Sequence, residues 1–203
     1  LYLATILNRN RLRFSNFWRA AILIPNVTSV LAIAVIFSSL YGRDFGLINY
    51  VLNIFGVDKI NWMEGTLSSH IEISTMIIWR WSGYNALIYL AAMQSIPKEL
   101  YESASLDGAN GWQAFRHITL PLLMPFIVVA LIIRCIDALK AFDTIYVITQ
   151  GGPGSASETI NIFLYLQAFA FYNVGYASAV VVVFFVIIMA LAALLLWTRQ
   201  RVT

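Results

Sequence analysis

Residues 174–197 read VGYASAVVVVFFVIIMALAALLLW, a run without a single charged side chain. A helix needs about 20 mostly apolar residues to cross the hydrocarbon core of a bilayer, so this run predicts a transmembrane helix. The rest of the chain has a similar character, because 60% of its 203 residues are hydrophobic and only 11% are charged. A soluble domain carries roughly 25% charged residues. The composition therefore predicts a membrane protein.

Three further runs are long and apolar enough to span a bilayer, namely Trp18–Tyr41, Ile73–Met93 and Leu120–Ile148. The last is longer than a span requires, and we expect part of it to leave the membrane near Phe142. Residues 1–7 look like the end of another apolar run, and the first residue is not Met, so we expect a segment to precede it. The prediction is an all-α polytopic helix bundle, with about four full transmembrane helices plus the end of a fifth. We expect residues 1–203 to form one transmembrane domain.

Basic residues are unevenly distributed over the segments between these runs. Segments 8–17 and 94–119 and the C-terminal tail must share one side of the membrane, and segments 42–72 and 149–173 the other. The basic residues of the first set are Arg9, Arg11, Arg13, Lys98, Arg116, Arg199 and Arg201, with Arg19 at its edge, whereas the second set has only Arg43 and Lys59. Cytoplasmic segments are enriched in Lys and Arg. Residues 95–119 and the C-terminus are therefore predicted to be cytoplasmic.

Several aromatic residues lie in or beside the segments predicted to be on the outer side: Tyr41, Phe45, Tyr50, Trp62 and Tyr172. Aromatic residues at these positions are typical of a belt at the level of the lipid headgroups. Contact with a ligand is the alternative.

The sequence gives little support to a catalytic or metal-binding function. Cys135 is the one cysteine, so neither a disulfide framework nor a cysteine-based zinc site is expected. The two histidines, His70 and His117, are predicted to lie on opposite sides of the membrane. Residues 151–154 are glycine-rich but lack the Lys-Ser/Thr ending of a phosphate-binding loop. We therefore expect neither an enzyme nor a bound cofactor.

The predicted cytoplasmic segment 95–119 contains a short helix followed by a corner. Pro97 suits the first turn of a helix, and Glu99 and Glu102 lie near its positive end. Asp107 and Gly108 then supply a stop, because glycine readily adopts positive φ. A second short helix is expected from about residue 111 to residue 117, and Pro121 should open the next span.

Two interpretations of this helix remain open on physical grounds. It could lie on the membrane surface as an amphipathic helix. Alternatively, its acidic character and small residues could fit it into a groove of a partner protein.

The spacing within this segment resembles the "EAA" loop of bacterial ABC importer permeases. That consensus is Glu-Ala-Ala, three residues, Gly, nine residues, then Ile, any residue, Leu-Pro. This chain has Glu102-Ser103-Ala104, Gly108 and Ile118-Thr119-Leu120-Pro121 at the same spacing, with Ser103 as the one departure. The sugar-importer branch, with the maltose and glycerol-phosphate permeases, is similar at further places: Leu7-Asn8-Arg9, Phe17-Trp18-Arg19, residues 94–102, Ala141-Phe142-Asp143 and residues 149–154.

The resemblance implies a role in coupling to a separate motor. In that family the EAA helix docks on a cytoplasmic ATPase subunit, which makes Glu102, Ala104, Asp107 and Gly108 the expected coupling residues. The implied partners are a second permease subunit, two ATPase subunits that bind the ATP, an extracytoplasmic solute-binding protein and a sugar, in a bacterial or archaeal inner membrane. Transport would proceed by alternating access.

The resemblance also implies a substrate path. Alignment with the maltose-type permeases from Pro97 and Gly152 places Trp81, Tyr84, Asp137, Ala138 and Ala141 at site-like positions, of which Tyr84 alone matches in residue type. The sequence does not indicate which sugar is carried, or whether a sister subunit holds it. The alternatives are an ABC permease for another solute and an ion-coupled secondary transporter that uses Asp137 and Arg134.

Overall fold

The computed structural model describes residues 1–8 and 14–199, and every regular element in this part of the chain is helical. The predicted all-α class is confirmed. The α-helices are α1 Tyr2–Leu7, α2 Ser15–Ala21, α3 Ile24–Val27, α4 Val30–Leu40, α5 Leu47–Ile54, α6 Thr66–Gln94, α7 Lys98–Leu106, α8 Gly111–Ala114, α9 Leu120–Leu139, α10 Asp143–Thr149, α11 Ile160–Tyr165 and α12 Val174–Arg199. Two π-helical turns, Phe115–Thr119 and Leu166–Ala170, complete the set.

Two helices among the described residues are long and apolar enough to cross a membrane, Gly111–Leu139 and Val174–Trp197. A third span results if Ser15–Val27 and Val30–Leu40 are counted together as one broken helix. Helix α6 contains the predicted span Ile73–Met93 and is 29 residues long, but it is less apolar than these helices. The uncharged run Val174–Trp197 is thus a membrane-length helix, as predicted.

The predicted first span, Trp18–Tyr41, is not one continuous helix. Pro25 has no N–H to donate to the carbonyl of residue 21, and its ring would clash there; helix α2 ends at Ala21 accordingly. A second break follows at Ser29, whose backbone is extended at φ −52° and ψ 129°. The sequence indicated Pro25 but gave no sign of the break at Ser29.

The boundaries of the predicted span Leu120–Ile148 also need correction. The membrane-length helix already begins at Gly111 and ends at Leu139, so the expected second cytoplasmic helix and the span form one continuous element. Its π turn ends at Thr119, two residues before Pro121, which cannot donate a backbone hydrogen bond. The chain then leaves helical geometry at residues 140–142 before α10, which agrees with the predicted departure near Phe142.

The chain divides into two compact units. The first unit comprises Leu1–Ile24, Ser82–Ile136 and Ala190–Thr203, and the second comprises Pro25–Trp81 and Asp137–Met189. The core of the first unit contains Ala4, Leu7, Leu90, Ala92, Met93 and Leu123. The core of the second contains Ile33, Ala34, Phe37, Tyr41, Trp62, Ile73, Met76, Ile145, Ile148 and Ile162. That residues 1–203 form one transmembrane domain stays a prediction.

Helix α6 packs closely against the backbone at Ile22 in the first unit. A Cβ atom added to Gly83 would collide with the backbone of Ile22, so no larger residue fits there without movement. Small residues allow such close backbone contact between membrane helices.

The orientation of the chain remains a prediction. It rests partly on Arg9, Arg11, Arg13 and Arg201, which lie outside the described residues.

Helix α6 also carries a buried carboxyl group in the second unit. Glu72 is 0% exposed, and neither of its carboxyl oxygens has a hydrogen-bond partner among the described residues. Leaving a buried polar group unpaired costs about 1–3 kcal/mol. The Glu72 side chain is therefore a local source of instability.

Replacement of Glu72 by Met should stabilise the protein by about 1–3 kcal/mol, because an apolar side chain of similar length removes the unpaired oxygens. The thermal unfolding midpoint of the purified protein in detergent would measure this. Glu72→Gln is the matched control, since its amide stays unpaired, and it should change the midpoint less. A lower midpoint for both variants than for the unaltered protein would show that the carboxyl group makes a contact that stabilises the fold.

Candidate coupling loop and substrate path

Helix α7 begins and ends close to the predicted positions. Pro97 precedes the helix as its N-cap, at φ −57° and ψ 135°, and Lys98 is the first helical residue. Pro97 therefore lies one residue outside the first turn in which it was expected. Glu99 lies in the first turn, where a negative charge is favourable beside the positive end of the helix dipole.

The C-terminal end of α7 is closed by a Schellman motif. The N–H of Gly108 donates to the carbonyl of Ser105 at 3.1 Å, and that of Ala109 donates to Ala104 at 2.9 Å. This pattern requires a residue with positive φ, and Gly108 has φ +77°. A Cβ atom added to Gly108 would meet no atom within 4 Å. The backbone conformation therefore requires glycine at this position, although there is space for a larger side chain.

Helix α7 has no buried residue. Glu102, Asp107 and Gly108 are exposed and Ala104 is half-buried, while Leu106 is 90% exposed. Isolated helices shorter than about 12–15 residues are marginal in water. Most of the surface of this nine-residue helix is therefore left uncovered by the described residues.

The next helix begins immediately after this corner. The side chain of Asn110 accepts a hydrogen bond from the backbone N–H of Gln113 at 2.9 Å, and the Gln113 side chain accepts one from the N–H of Asn110 at 2.8 Å. This reciprocal pair is a capping box. Its signal, an Asn followed by Gln three residues later, is present in the sequence and was overlooked.

One side-chain contact joins α7 to the base of the membrane-length helix Gly111–Leu139. The hydroxyl groups of Tyr101 and Thr119 lie 2.8 Å apart and share a hydrogen bond. Thr119 is 6% exposed and is the last residue of the first π turn. Tyr101 therefore connects α7 to the span at Thr119, which belongs to the Ile118-Thr119-Leu120-Pro121 part of the EAA pattern.

A cavity of about 650 Å³ borders this contact in the first unit. Tyr101 and Thr119 line it together with Tyr2, Met93 and Trp112. The Trp112 ring stacks on Phe115 at a centroid distance of 5.7 Å but remains 68% exposed. The corner between α7 and the span is thus open on this side.

The residues of the predicted substrate path occupy two helices and a break. Trp81 and Tyr84 lie on α6, both half-buried; Asp137 and Ala138 lie in the last turn of α9; and Ala141 lies in the break after it. Tyr84 belongs to the first compact unit and the other residues to the second. Their assignment to a substrate path stays a prediction.

The ring of Trp81 already has a cationic neighbour. The Arg80 guanidinium carbon lies 5.5 Å from the centre of the Trp81 ring, within the range of a cation–π interaction. One face of this indole is therefore engaged.

Asn161 holds the break that contains Ala141, and the sequence analysis missed it. Its side-chain amide donates to the carbonyl of Leu139 at 2.7 Å and to that of Ala141 at 3.3 Å. These carbonyls lie at the end of α9, where the last groups of a helix lack partners within the helix. The one available signal was a polar residue at the start of an apolar stretch.

An aromatic cluster lies beside the same break. The rings of Phe142 and Tyr146 stack at 5.0 Å, and Tyr165 contacts both, at 5.2 Å and 4.9 Å. A cavity of about 580 Å³ is lined by Phe142, Tyr165, Asn161 and Phe169. The sequence analysis did not predict this aromatic wall.

Removal of the Asn161 amide should loosen the end of α9. In Asn161→Leu the carbonyls of Leu139 and Ala141 lose their donor, and we expect a loss of about 1–3 kcal/mol in unfolding free energy. The thermal midpoint of the purified protein measures it. Asn53→Leu, on an exposed helix position, is the control. Equal stability of Asn161→Leu and the unaltered protein would contradict this role.

The described part of the chain is thus all-helical, with the short exposed helix α7 placed before a membrane-length helix. The family described as "Binding-protein-dependent transport system inner membrane component" matches residues 1–203. The chain belongs to this family, which confirms the resemblance found in the sequence.

Curated relatives cover nearly the whole chain. It is 40% identical to the trehalose/maltose transport system permease protein MalF of Thermococcus litoralis, over 94% of this chain and 64% of the relative. It is 40% identical to the sulfoquinovosyl glycerol permease SmoG of Agrobacterium fabrum, over 91% and 61%. For the lactose permease LacF of Rhizobium radiobacter the identity is 35%, over 96% and 65%. The chain thus spans less than two thirds of the length of each of these relatives.

A solved structure shares the fold. A chain of a bacterial ABC transporter involved in the import of the acidic polysaccharide alginate matches with a TM-score of 0.90 at 25% identity, over 100% of this chain and 71% of that chain. The fold is therefore that of an ABC importer permease.

Proposed function

We propose that this chain is the membrane-spanning permease part of an ATP-driven, binding-protein-dependent sugar importer. The observation that carries the proposal is the geometry of α7, which is uncovered, closed at Gly108 and tied by Tyr101 to a membrane-length helix. The names of the relatives add support, since they are permeases of trehalose/maltose and lactose transport systems.

In the proposed mechanism, α7 docks on a cytoplasmic ATPase subunit through Glu102, Ala104, Asp107 and Gly108. ATP binds to that partner, and this chain itself carries out no chemical step. Residues 95–119 and the C-terminus then face the cytoplasm, as the distribution of basic residues suggests.

A movement of α7 would be transmitted directly to a membrane-length helix. The Tyr101–Thr119 hydrogen bond connects it to the helix Gly111–Leu139, whose other end carries Asp137 and Ala138. At 1.5 Å per residue, a 29-residue helix extends about 43 Å. The same continuous helix therefore carries the docking corner and two residues of the proposed substrate path.

The remaining partners follow from the same proposal. A second permease subunit completes the path, and an extracytoplasmic binding protein delivers the sugar, in keeping with the name of the family. Alternating access of a central cavity moves the sugar across the membrane. Trp81, Tyr84, Asp137, Ala138 and Ala141 are proposed to line this path.

Replacement of Gly108 by Ala should impair coupled transport. A non-glycine residue in left-handed backbone geometry costs about 1–2 kcal/mol, so the corner that presents α7 shifts. We expect sugar uptake by the reconstituted importer to fall severalfold more than ATP hydrolysis. Gly111→Ala is the matched control, since Gly111 has equally open space and no positive φ.

The same assay tests the proposed function as a whole. Unchanged coupling in Gly108→Ala would refute the role of the corner. Uptake that follows an ion gradient and needs no ATP would refute the importer.

Removal of the Tyr101 hydroxyl should weaken transmission without removing docking. In Tyr101→Phe the bond to Thr119 is lost, and the ATP hydrolysed per sugar transported should rise severalfold. Tyr2→Phe, an exposed tyrosine in the wall of the same cavity, is the control and should leave the ratio unchanged.

The effects of Tyr101→Phe and Thr119→Val should not add, since both remove one shared hydrogen bond. Additive effects of the two changes would show that the contact does not transmit movement.

A further inference from the structure

The loop between α4 and α6 contains an eight-residue helix, α5, that one buried side chain fastens in place. Asn49 is 1% exposed. Its amide nitrogen donates to the carbonyls of Gly42, Arg43 and Ile60 at 3.3, 3.1 and 2.8 Å. Its amide oxygen accepts from the N–H of Ile60 and from the Trp62 indole, both at 3.1 Å. Asn49 thus joins both ends of the loop to α5.

These contacts fix α5 at the end of the apolar helix α4. Gly42 lies two residues beyond the last residue of α4, and its carbonyl is within hydrogen-bond distance of α5. The Tyr41 and Trp62 rings meet edge to face at 4.9 Å, and Ile48 and Leu52 of α5 pack against the core that contains both rings. Helix α5 therefore packs beside the C-terminal end of α4.

The opposite face of α5 is apolar and uncovered. Leu47, Tyr50, Val51 and Ile54 follow the i, i+3, i+4, i+7 spacing of one helix face, and they are 55%, 67%, 42% and 66% exposed. Two flanking aromatic residues extend this face, Phe45 at 100% and Phe55 at 79% exposure. A contiguous apolar surface of this kind marks a contact with a partner or a membrane.

The placement and chemistry of this face favour lipid as its partner. Helix α5 has no charged residue, and the charges of the loop, Arg43, Asp44, Asp58 and Lys59, lie outside the helix. Leu31, Val35 and Ile36 of the neighbouring helix α4 are also apolar and exposed, at 52%, 58% and 55%. Interfacial helices bury such a face at the boundary between headgroups and acyl chains.

We propose that α5 is an in-plane membrane helix that rests its Leu47–Tyr50–Val51–Ile54 face in the lipid at the bilayer surface. Phe45 and Phe55 anchor its two ends at the level of the headgroups. The aromatic belt predicted from the sequence is thereby divided. Tyr41 and Trp62 are core residues, each 8% exposed, whereas Phe45 and Tyr50 face the lipid.

Spin labelling of the full-length protein, assembled with its partner subunits in lipid nanodiscs, tests the proposal. Labels are attached to single cysteines at positions 50, 51 and 54 in a Cys135→Ala background, with positions 44 and 58 as controls. All five positions are exposed, so the labels fit without disturbing the core. The accessibility of each label to oxygen, which partitions into lipid, is compared with that to a water-soluble nickel chelate.

The proposal expects greater accessibility to oxygen at positions 50, 51 and 54 and greater accessibility to the chelate at positions 44 and 58. Greater accessibility to the chelate at all five positions would overturn it, since the face would then lie in water. Low accessibility to both reagents at positions 50, 51 and 54 would also overturn it and indicate a protein partner. If the low accessibility appears only after a solute-binding protein is added, the face is the docking surface of that protein.

Discussion

The structure depends on one constraint, that backbone N–H and C=O groups in apolar surroundings must find hydrogen-bond partners within the protein. Long uninterrupted helices satisfy it internally, and α12 is the simplest case. At two of the helix breaks, a side chain supplies hydrogen bonds that the backbone has lost. Asn161 serves the end of α9, and Asn49 serves the loop around α5. These two asparagines are thus placed where regular structure stops.

The sequence predicted the helices well but not their interruptions. Apolar runs reveal a membrane helix because a single physical requirement, the thickness of the bilayer, sets their length. The π turn at residues 115–119 left no such mark, and neither did the extended backbone at Ser29. Asn49 and Asn161 could not be interpreted in advance, because their partners lie between 6 and 22 residues away in the chain. Neither carboxyl oxygen of the buried Glu72 has a hydrogen-bond partner in the part of the chain that the structure describes, and nothing in the sequence indicated that this residue is buried.

The candidate site likewise has some features that neighbouring residues determine and others that depend on residues far away in the chain. The ends of α7 follow from residues adjacent to it, since a proline, an acidic first turn and a glycine act within one or two turns. The Tyr101–Thr119 hydrogen bond depends instead on how a corner folds back over 18 residues, which spacing alone does not determine. The substrate path is harder still to predict, because its residues lie on different helices that no local sequence pattern relates.

The π turn at the base of the helix Gly111–Leu139 has a geometric consequence for the far end of that helix. A π turn holds one residue more than the α-helical ladder can accommodate. Relaxing it to α geometry would therefore twist everything beyond it by about 100°, the angle of one residue. Asp137 would then point to a different side of the helix without any bend in the rod. The fold thus contains a point of rotation within a continuous helix, at the turn whose last residue, Thr119, is hydrogen-bonded to Tyr101.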